Sequence, residues 1–258
     1  MTVKPSNQFT KDRDKKIKNL LSQVRLAKRR YQEYVPLLPE EKKQIEAILN
    51  TDSIHNSTAI EGNKYTRVQT ELLLNKGLVP SGVTMKDTLE IYNLNRAMKY
   101  NNSYEGDITE GYIKKLHLLT TSGLFDDSDD SGNYKRCKNW IGDILTASPQ
   151  ETPKRMSELI DWYNYWDGNM DPIELAVKFK YKFLAIHPFV DGNGRVSRLI
   201  LDRMLMNEQY LPARILLEDV EDYYKALSLS TKDDCSELII FICKSILKTY
   251  DRVFKLLS

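Results

Sequence analysis

A chain of 258 residues with 41% hydrophobic and 29% charged side chains has the balance of a globular protein able to bury a sizeable core, as one large domain or one domain with an N-terminal extension. No apolar run approaches the length of a bilayer-spanning helix, the longest being Leu238 to Cys243, and the first residues lack the apolar core of a secretory leader, so a membrane protein is excluded and the expected compartment is cytoplasmic. Cys137, Cys235 and Cys243 form neither a disulfide framework nor a metal-ligand spacing, and the total charge of +2 hides a split: ten Lys/Arg against two Asp give the first thirty residues +8, leaving −6 for the remainder.

Basic residues of that first segment alternate with Ile17, Leu20, Leu21, Val24 and Tyr31 at helical spacing. Residues 10–34 therefore read as an amphipathic helix with a solvated basic face, and not as a nucleic-acid surface. Pro39-Glu40-Glu41 opens a second helix, with proline and acidic residues where a first turn favours them. Residues 1–50 are thus expected as a helical extension. Thr51 or Asp52 then caps a short helix, and Gly62 or Asn63 ends it in the left-handed conformation. That places Ser57 and Glu61 at i and i+4 on one face, with Glu61 in the last turn, where a carboxylate opposes the helix dipole and needs a cation from elsewhere.

Thr66-Arg67-Val68-Gln69 is a capping box for a helix that stops at Gly77. Another helix follows over 85–101, and Thr109 caps one through Thr120 that contains His117, a histidine beside leucines to which no role is assigned. Asp127 to Gly132 begins like a calcium loop, but Lys138 stands where the bidentate glutamate belongs, which leaves an acidic, solvated loop. Tyr134, Trp140, Ile141, Ile144 and Leu145 around Gly142-Asp143 break the helical pattern and predict a hairpin over 133–148, closed by Pro149. Helices resume at about 153–165 and 172–185.

The next stretch, His187-Pro188-Phe189-Val190-Asp191-Gly192-Asn193-Gly194-Arg195-Val196-Ser197-Arg198, is a polar turn held between apolar helices. A Gly192-Asn193-Gly194 turn leading into a helix leaves backbone N–H groups facing outward, which makes an anion site. Arg195 and Arg198, at i and i+3, share a face of the first turns, where cations are disfavoured unless an anion lies in front of them; the pair points to a polyphosphate. Asp191 is a hard oxygen ligand suited to Mg²⁺, and His187 a base that is neutral near pH 7. These are the parts for transfer from a nucleotide to a nucleophile. No Gly-Lys-Ser/Thr follows, so the turn is not a Walker loop. The helix after the turn runs to Glu208, Tyr223-Tyr224 lies on another, and 235–257 forms an amphipathic last helix.

The twelve residues resemble the signature of the Fic family, His-Pro-Phe-x-Asp/Glu-Gly-Asn-Gly-Arg-x-x-Arg, with every specified position present. The resemblance covers about residues 50 to 250. It implies the all-α Fic fold, a helical bundle with a small β-hairpin flap, with 51–258 as the catalytic domain. The activity it implies is transfer of AMP from ATP to a Ser, Thr or Tyr hydroxyl of a target protein, and of the chain itself, with release of pyrophosphate. In that reading His187 is the base and Asp191 holds Mg²⁺ on the phosphates. The amides of Gly192, Asn193 and Gly194 cradle the phosphates while the Asn193 side chain orients them, and Arg195 and Arg198 neutralise charge, Arg198 at the terminal phosphate.

Ser57-x-x-x-Glu61-Gly62 is similar to the Ser/Thr-x-x-x-Glu-Gly/Asn motif of relatives that carry their own inhibitory helix, in which the glutamate pairs with the second signature arginine, here Arg198. The hairpin corresponds to the flap, which covers the nucleotide with Ile141, Gly142, Asp143 and Ile144 and holds the target as an added strand. Tyr134-Lys135 stands where most relatives have Tyr-Arg. Tyr223-Tyr224-x-x-Leu227 matches a Tyr-Tyr-x-x-Leu segment whose first tyrosine lies at the adenosine pocket, and Thr231 replaces a frequent asparagine beyond it. Two other readings stay open: a hydrolase that removes AMP with help from Glu61, and a non-catalytic nucleotide- or partner-binding module, against which the intact His187 and arginines stand. The expected partners are ATP and a target protein, with no membrane and no nucleic acid; self-association is left open.

Overall fold

The computed structural model describes residues 7–141 and 144–257. The alternating apolar positions of the basic segment form one face of α1 (Asn7–Gln32), where Ile17, Leu20, Leu21 and Val24 are buried. Pro39 opens α2, which runs without interruption to Ala59 with Glu40 and Glu41 in its first turn. The cap expected at Thr51 or Asp52 is therefore absent: both residues are buried in the middle of α2. Burial outweighs local capping propensity here, because Asp52 is claimed by Arg67 and Arg214 from other elements. At the far end, Gly62 takes φ +94°, as expected for the residue that turns the chain out of the helix. Glu61 sits in that turn, just past the helix and not within its last turn.

Thr66 and Gln69 make the reciprocal capping box of α3 (Arg67–Lys76), which stops at left-handed Gly77. Thr84 and Thr109 cap α4 (Met85–Ser103) and α5 (Glu110–Thr121). The acidic loop is tied by Arg136, whose guanidinium reaches Asp127 at 2.5 Å and Asp130 at 2.9 Å. The hairpin is shorter than its sequence signal. Only β1 (Trp140–Ile141) and β2 (Ile144–Leu145) pair, antiparallel, with Trp140 opposite Leu145 and Ile141 opposite Ile144. Gly142 and Asp143 lie outside the described residues.

The remaining helices are α6 (Thr152–Trp166), α7 (Pro172–Ile186), α8 (Asn193–Asn207), α9 (Val220–Leu229) and α10 (Ser236–Leu257). Fully buried Phe179, Phe183, Leu201, Leu205, Ile242 and Ile246 place α7, α8 and α10 in one core. Around it α1 lies along α10, α4 and α5 flank α8, α6 packs on α7, and the end of α2 reaches α4 and α8. This all-helical bundle makes the α7–α8 connection a fixed point. Among the described residues no helix is long and apolar enough to cross a membrane.

Candidate active site

The loop between α7 and α8 is shaped by its own residues. His187 caps α7 in the left-handed region, at φ 52° and ψ 61°, while its N–H still reaches the Phe183 carbonyl at 3.0 Å. A non-glycine residue held there is strained by about 1–3 kcal/mol and persists only where its surroundings impose it. Those surroundings are polar. Asn139, just before β1, donates through Nδ2 to the carbonyls of His187 (3.3 Å) and Phe189 (2.7 Å). Buried Lys135 donates to the Asn139 side chain at 2.6 Å and to Thr146 at 2.7 Å, and its backbone N–H bonds the Pro188 carbonyl at 2.9 Å. The root of the hairpin is thus fastened to the signature loop. The lysine departing from the common Tyr-Arg pair makes these contacts, and burial lowers it to about 8.

On the other side His117 fixes the loop. Its Nδ1 accepts the Gly132 N–H at 2.8 Å, which leaves the ring proton on Nε2 for the Asp191 carbonyl at 2.9 Å. The ring also stacks on Phe189 at 3.8 Å, only 3° from parallel. Gly192 crosses directly over this layer at φ +79°, where a Cβ would lie 2.9 Å from Thr121 Cγ2. Only glycine meets both demands. Burial depresses the His117 pKa to about 4. An exposed histidine takes up its proton near 6.5, so the unfolded chain binds protons first on acidification. The histidine's contribution to stability is complete above about pH 6.5 and is lost as pH falls toward about 4. Thermal melts across that window should drop more steeply for wild type than for His117→Gln; equal slopes would contradict this role.

The Asn193 carboxamide closes the turn. Its Nδ2 donates to the Phe189 carbonyl at 2.8 Å and its Oδ1 accepts the Phe189 N–H at 3.0 Å. The side chain expected to orient phosphates is spent on the loop's own backbone, because a buried amide must satisfy both its ends. Asp191 directs one carboxylate oxygen to the Gly192 N–H (2.6 Å) and the other to Arg195 (3.2 Å), with its side chain 55% exposed. Arg195 itself is buried and also meets Glu90 of α4 at 3.5 Å. The His187 imidazole is half-buried; desolvation first, and then the charge of Lys135, lower its pKa and keep the ring neutral at physiological pH.

Arg198 points to the end of α2. Its Nε donates to Ser57 Oγ at 2.8 Å, and Nη2 donates to the Ser57 carbonyl at 2.9 Å and to Glu61 Oε1 at 2.7 Å. The Glu61 N–H bonds the Thr58 carbonyl, so the Ser57 carbonyl lacks its helical partner and the arginine supplies one. A cation there also complements the dipole of α2. The carboxylate meanwhile lies against Gly194 in the first turn of α8, where a Cβ would come within 2.3 Å of Oε1. Glu61 therefore occupies the anion-favouring end of α8.

Tyr223, expected at an adenosine pocket, is 2% exposed and backs Arg198 and Lys180 from the core; neighbouring Tyr224 is the ring left at the surface. Ile141 is exposed on β1. Sequence reasoning missed Asn139 and Glu90, as well as buried Lys180, whose Nζ donates to Ser197 at 2.7 Å and whose pKa burial lowers far below the lysine range. It also missed that buried Asn63, offered only as a helix end, ties the turn after Glu61 to Glu90 at 2.8 Å. None of these stands in a motif; each is a partner found only in three dimensions. The described residues contain no group of three or more His, Cys, Asp or Glu that could hold a metal ion.

Residues 107–205 match the Fic/DOC family. The chain is 31% identical over 202 residues to "Protein adenylyltransferase Fic" of Drosophila willistoni, and 30% identical over 203 residues to the protein of that name from Nematostella vectensis. Each match covers 77% of this chain, but only 40% and 47% of those relatives, so the chain spans less than half the length of the curated proteins it resembles. A solved Fic-domain-containing signaling protein from Bacteroides thetaiotaomicron superposes with a TM-score of 0.81 at 27% identity, covering 92% of this chain and 97% of that one. Fic-1 from C. elegans shares the fold at a TM-score of 0.84 and 21% identity, over 97% of this chain and 74% of that one.

Proposed function

Because this chain belongs to the Fic/DOC family, we propose that it is a protein adenylyltransferase, moving AMP from ATP to a side-chain hydroxyl and held in check by Glu61. The observation that carries the reading is the α7–α8 loop, where a neutral His187 and a half-exposed Asp191 precede the N-terminus of α8 and Arg198 stands one turn further on. His187 takes the proton of the attacking hydroxyl. The hydroxyl oxygen bonds to the α-phosphorus, the bond from that phosphorus to the bridging oxygen breaks, and pyrophosphate leaves. The N–H groups at the start of α8 hold phosphate oxygens, and Arg198, once released from Glu61, meets the far phosphates. Arg195, with Glu90 at 3.5 Å, sets the field and the position of Asp191.

The donor set fits Mg²⁺ held mainly by the nucleotide. One hard carboxylate with solvent access stands beside the anion site, and Mg²⁺ on phosphates commonly takes few protein ligands. Asp191 would hold the ion, which would neutralise charge on the phosphates. Asp191→Ala is expected to lose both transfer and its magnesium dependence, measured as incorporation of α-labelled AMP across a magnesium titration. An unchanged magnesium requirement would move the ligand elsewhere.

The hairpin supports a protein substrate. Trp140, Ile141 and Leu145 are exposed on a two-stranded ribbon whose outer edges are free to pair, which fits a segment of the target added as a strand. Inhibition follows from placement: the Glu61 carboxylate lies where α8 favours a phosphate and engages the arginine that a terminal phosphate would need.

A further inference from the structure

A cleft of about 890 Å³ opens between α2, α3, α10 and the 3-10 turn Leu217–Asp219. Its lining carries five basic side chains against three acidic ones. The imbalance is sharpest at Asp52. This single carboxylate faces Arg67 at 2.6 Å, Arg214 at 3.3 Å and Arg252 at 3.9 Å. Arg67 has a second partner in Glu71 and Lys248 is paired with Asp219, but Arg214 is only 7% exposed and its Nε and Nη2 have no hydrogen-bond partner. Unmet buried N–H groups are costly, and burial first, with the charges of Arg252 and Arg67 contributing, pulls the pKa of this guanidinium down to about 10.

We propose that this cleft binds a polyphosphorylated small molecule, with Arg252 gripping one phosphate and Lys248 a further one, beside the buried charge of Arg214. The volume lies in the range of small-molecule sites, and a single phosphate would fill only a fraction of it. A charged lining with several guanidiniums suits a run of phosphates better than an apolar ligand. Nothing in this inference depends on AMP transfer, because binding is read directly.

The test is calorimetric titration of the full chain with inorganic tripolyphosphate. Saturable binding is expected. Arg214→Ala risks misfolding, so the decisive variants are Arg252→Ala and Lys248→Ala, whose side chains are about half exposed. Each should weaken binding about tenfold, the loss of one charge-assisted contact, and Arg252→Lys should recover part of it. Arg198→Ala removes any contribution of the signature loop, and in that background a saturable tripolyphosphate site should remain and weaken with Arg252→Ala. Titration of ADP into Arg198→Ala then separates a nucleotide from a bare polyphosphate by which binds more tightly. Absence of saturable binding, or loss in Arg198→Ala with Arg252→Ala unaffected, would overturn the proposal.

Discussion

Replacing Glu61 by glycine is expected to raise AMP transfer sharply, seen most easily as self-modification. The guanidinium of Arg198 is nearly buried while the Glu61 side chain is 29% exposed, so the contact falls between a surface pair and a fully buried one. A charge-assisted hydrogen bond in that setting is worth about 1.5–3 kcal/mol, which corresponds to roughly ten- to a hundredfold in the population of the released arginine. Glycine also clears the carboxylate from Gly194, leaving the start of α8 open to phosphate. Ser57 keeps its two contacts with Arg198, so the arginine stays near its present position. Adding Arg198→Ala should silence the variant again, because the freed guanidinium is what the glycine substitution supplies. An increase that survives loss of Arg198 would place the partner of Glu61 elsewhere, and no increase at all would remove the inhibitory role.

His187→Ala should abolish transfer in the Glu61→Gly background, where the starting rate is high enough for the loss to be read. Removal of a general base typically costs about 10²–10⁴-fold. ATP binding should persist, measured by titration of the nucleotide, since no phosphate contact is assigned to the imidazole. The backbone is a separate concern: residue 187 sits at φ 52°, so His187→Asn, which tolerates the left-handed region, serves as a second variant and should be equally inactive. Transfer near the parent rate in both variants would contradict the assignment of the base.

The parts of the site written in local sequence were legible, and the parts made by tertiary contact were not. Capping at Thr66 and Thr109, the proline start of α2 and the glycine turns each act over a few residues, so local chemistry reveals them. Thr51 and Asp52 misled because a good capping residue in mid-helix looks the same in sequence as one at a start. What distinguishes Asp52 is the arginines around it, which arrive from α3, α10 and the chain after α8. Asn193 shows a related limit: the family resemblance implies a phosphate contact for its side chain, yet the carboxamide bonds the Phe189 backbone. His117 has no role assignable from sequence, yet it packs on Phe189 and sets the carbonyl of Asp191. Glu90, which with Asn63 links the turn after Glu61 to Arg195, carries no pattern at all, and Asn63 reads only as a helix end.

The most direct test of the account is to incubate the Glu61→Gly variant with magnesium and ATP labelled at either the α- or the γ-phosphate, and then to separate protein from small molecules. Transfer of AMP predicts that the α-label stays on protein, the γ-label leaves as pyrophosphate, and both events vanish in Glu61→Gly/His187→Ala. Retention of the γ-label, or no label on any protein while ATP binds normally, would contradict it.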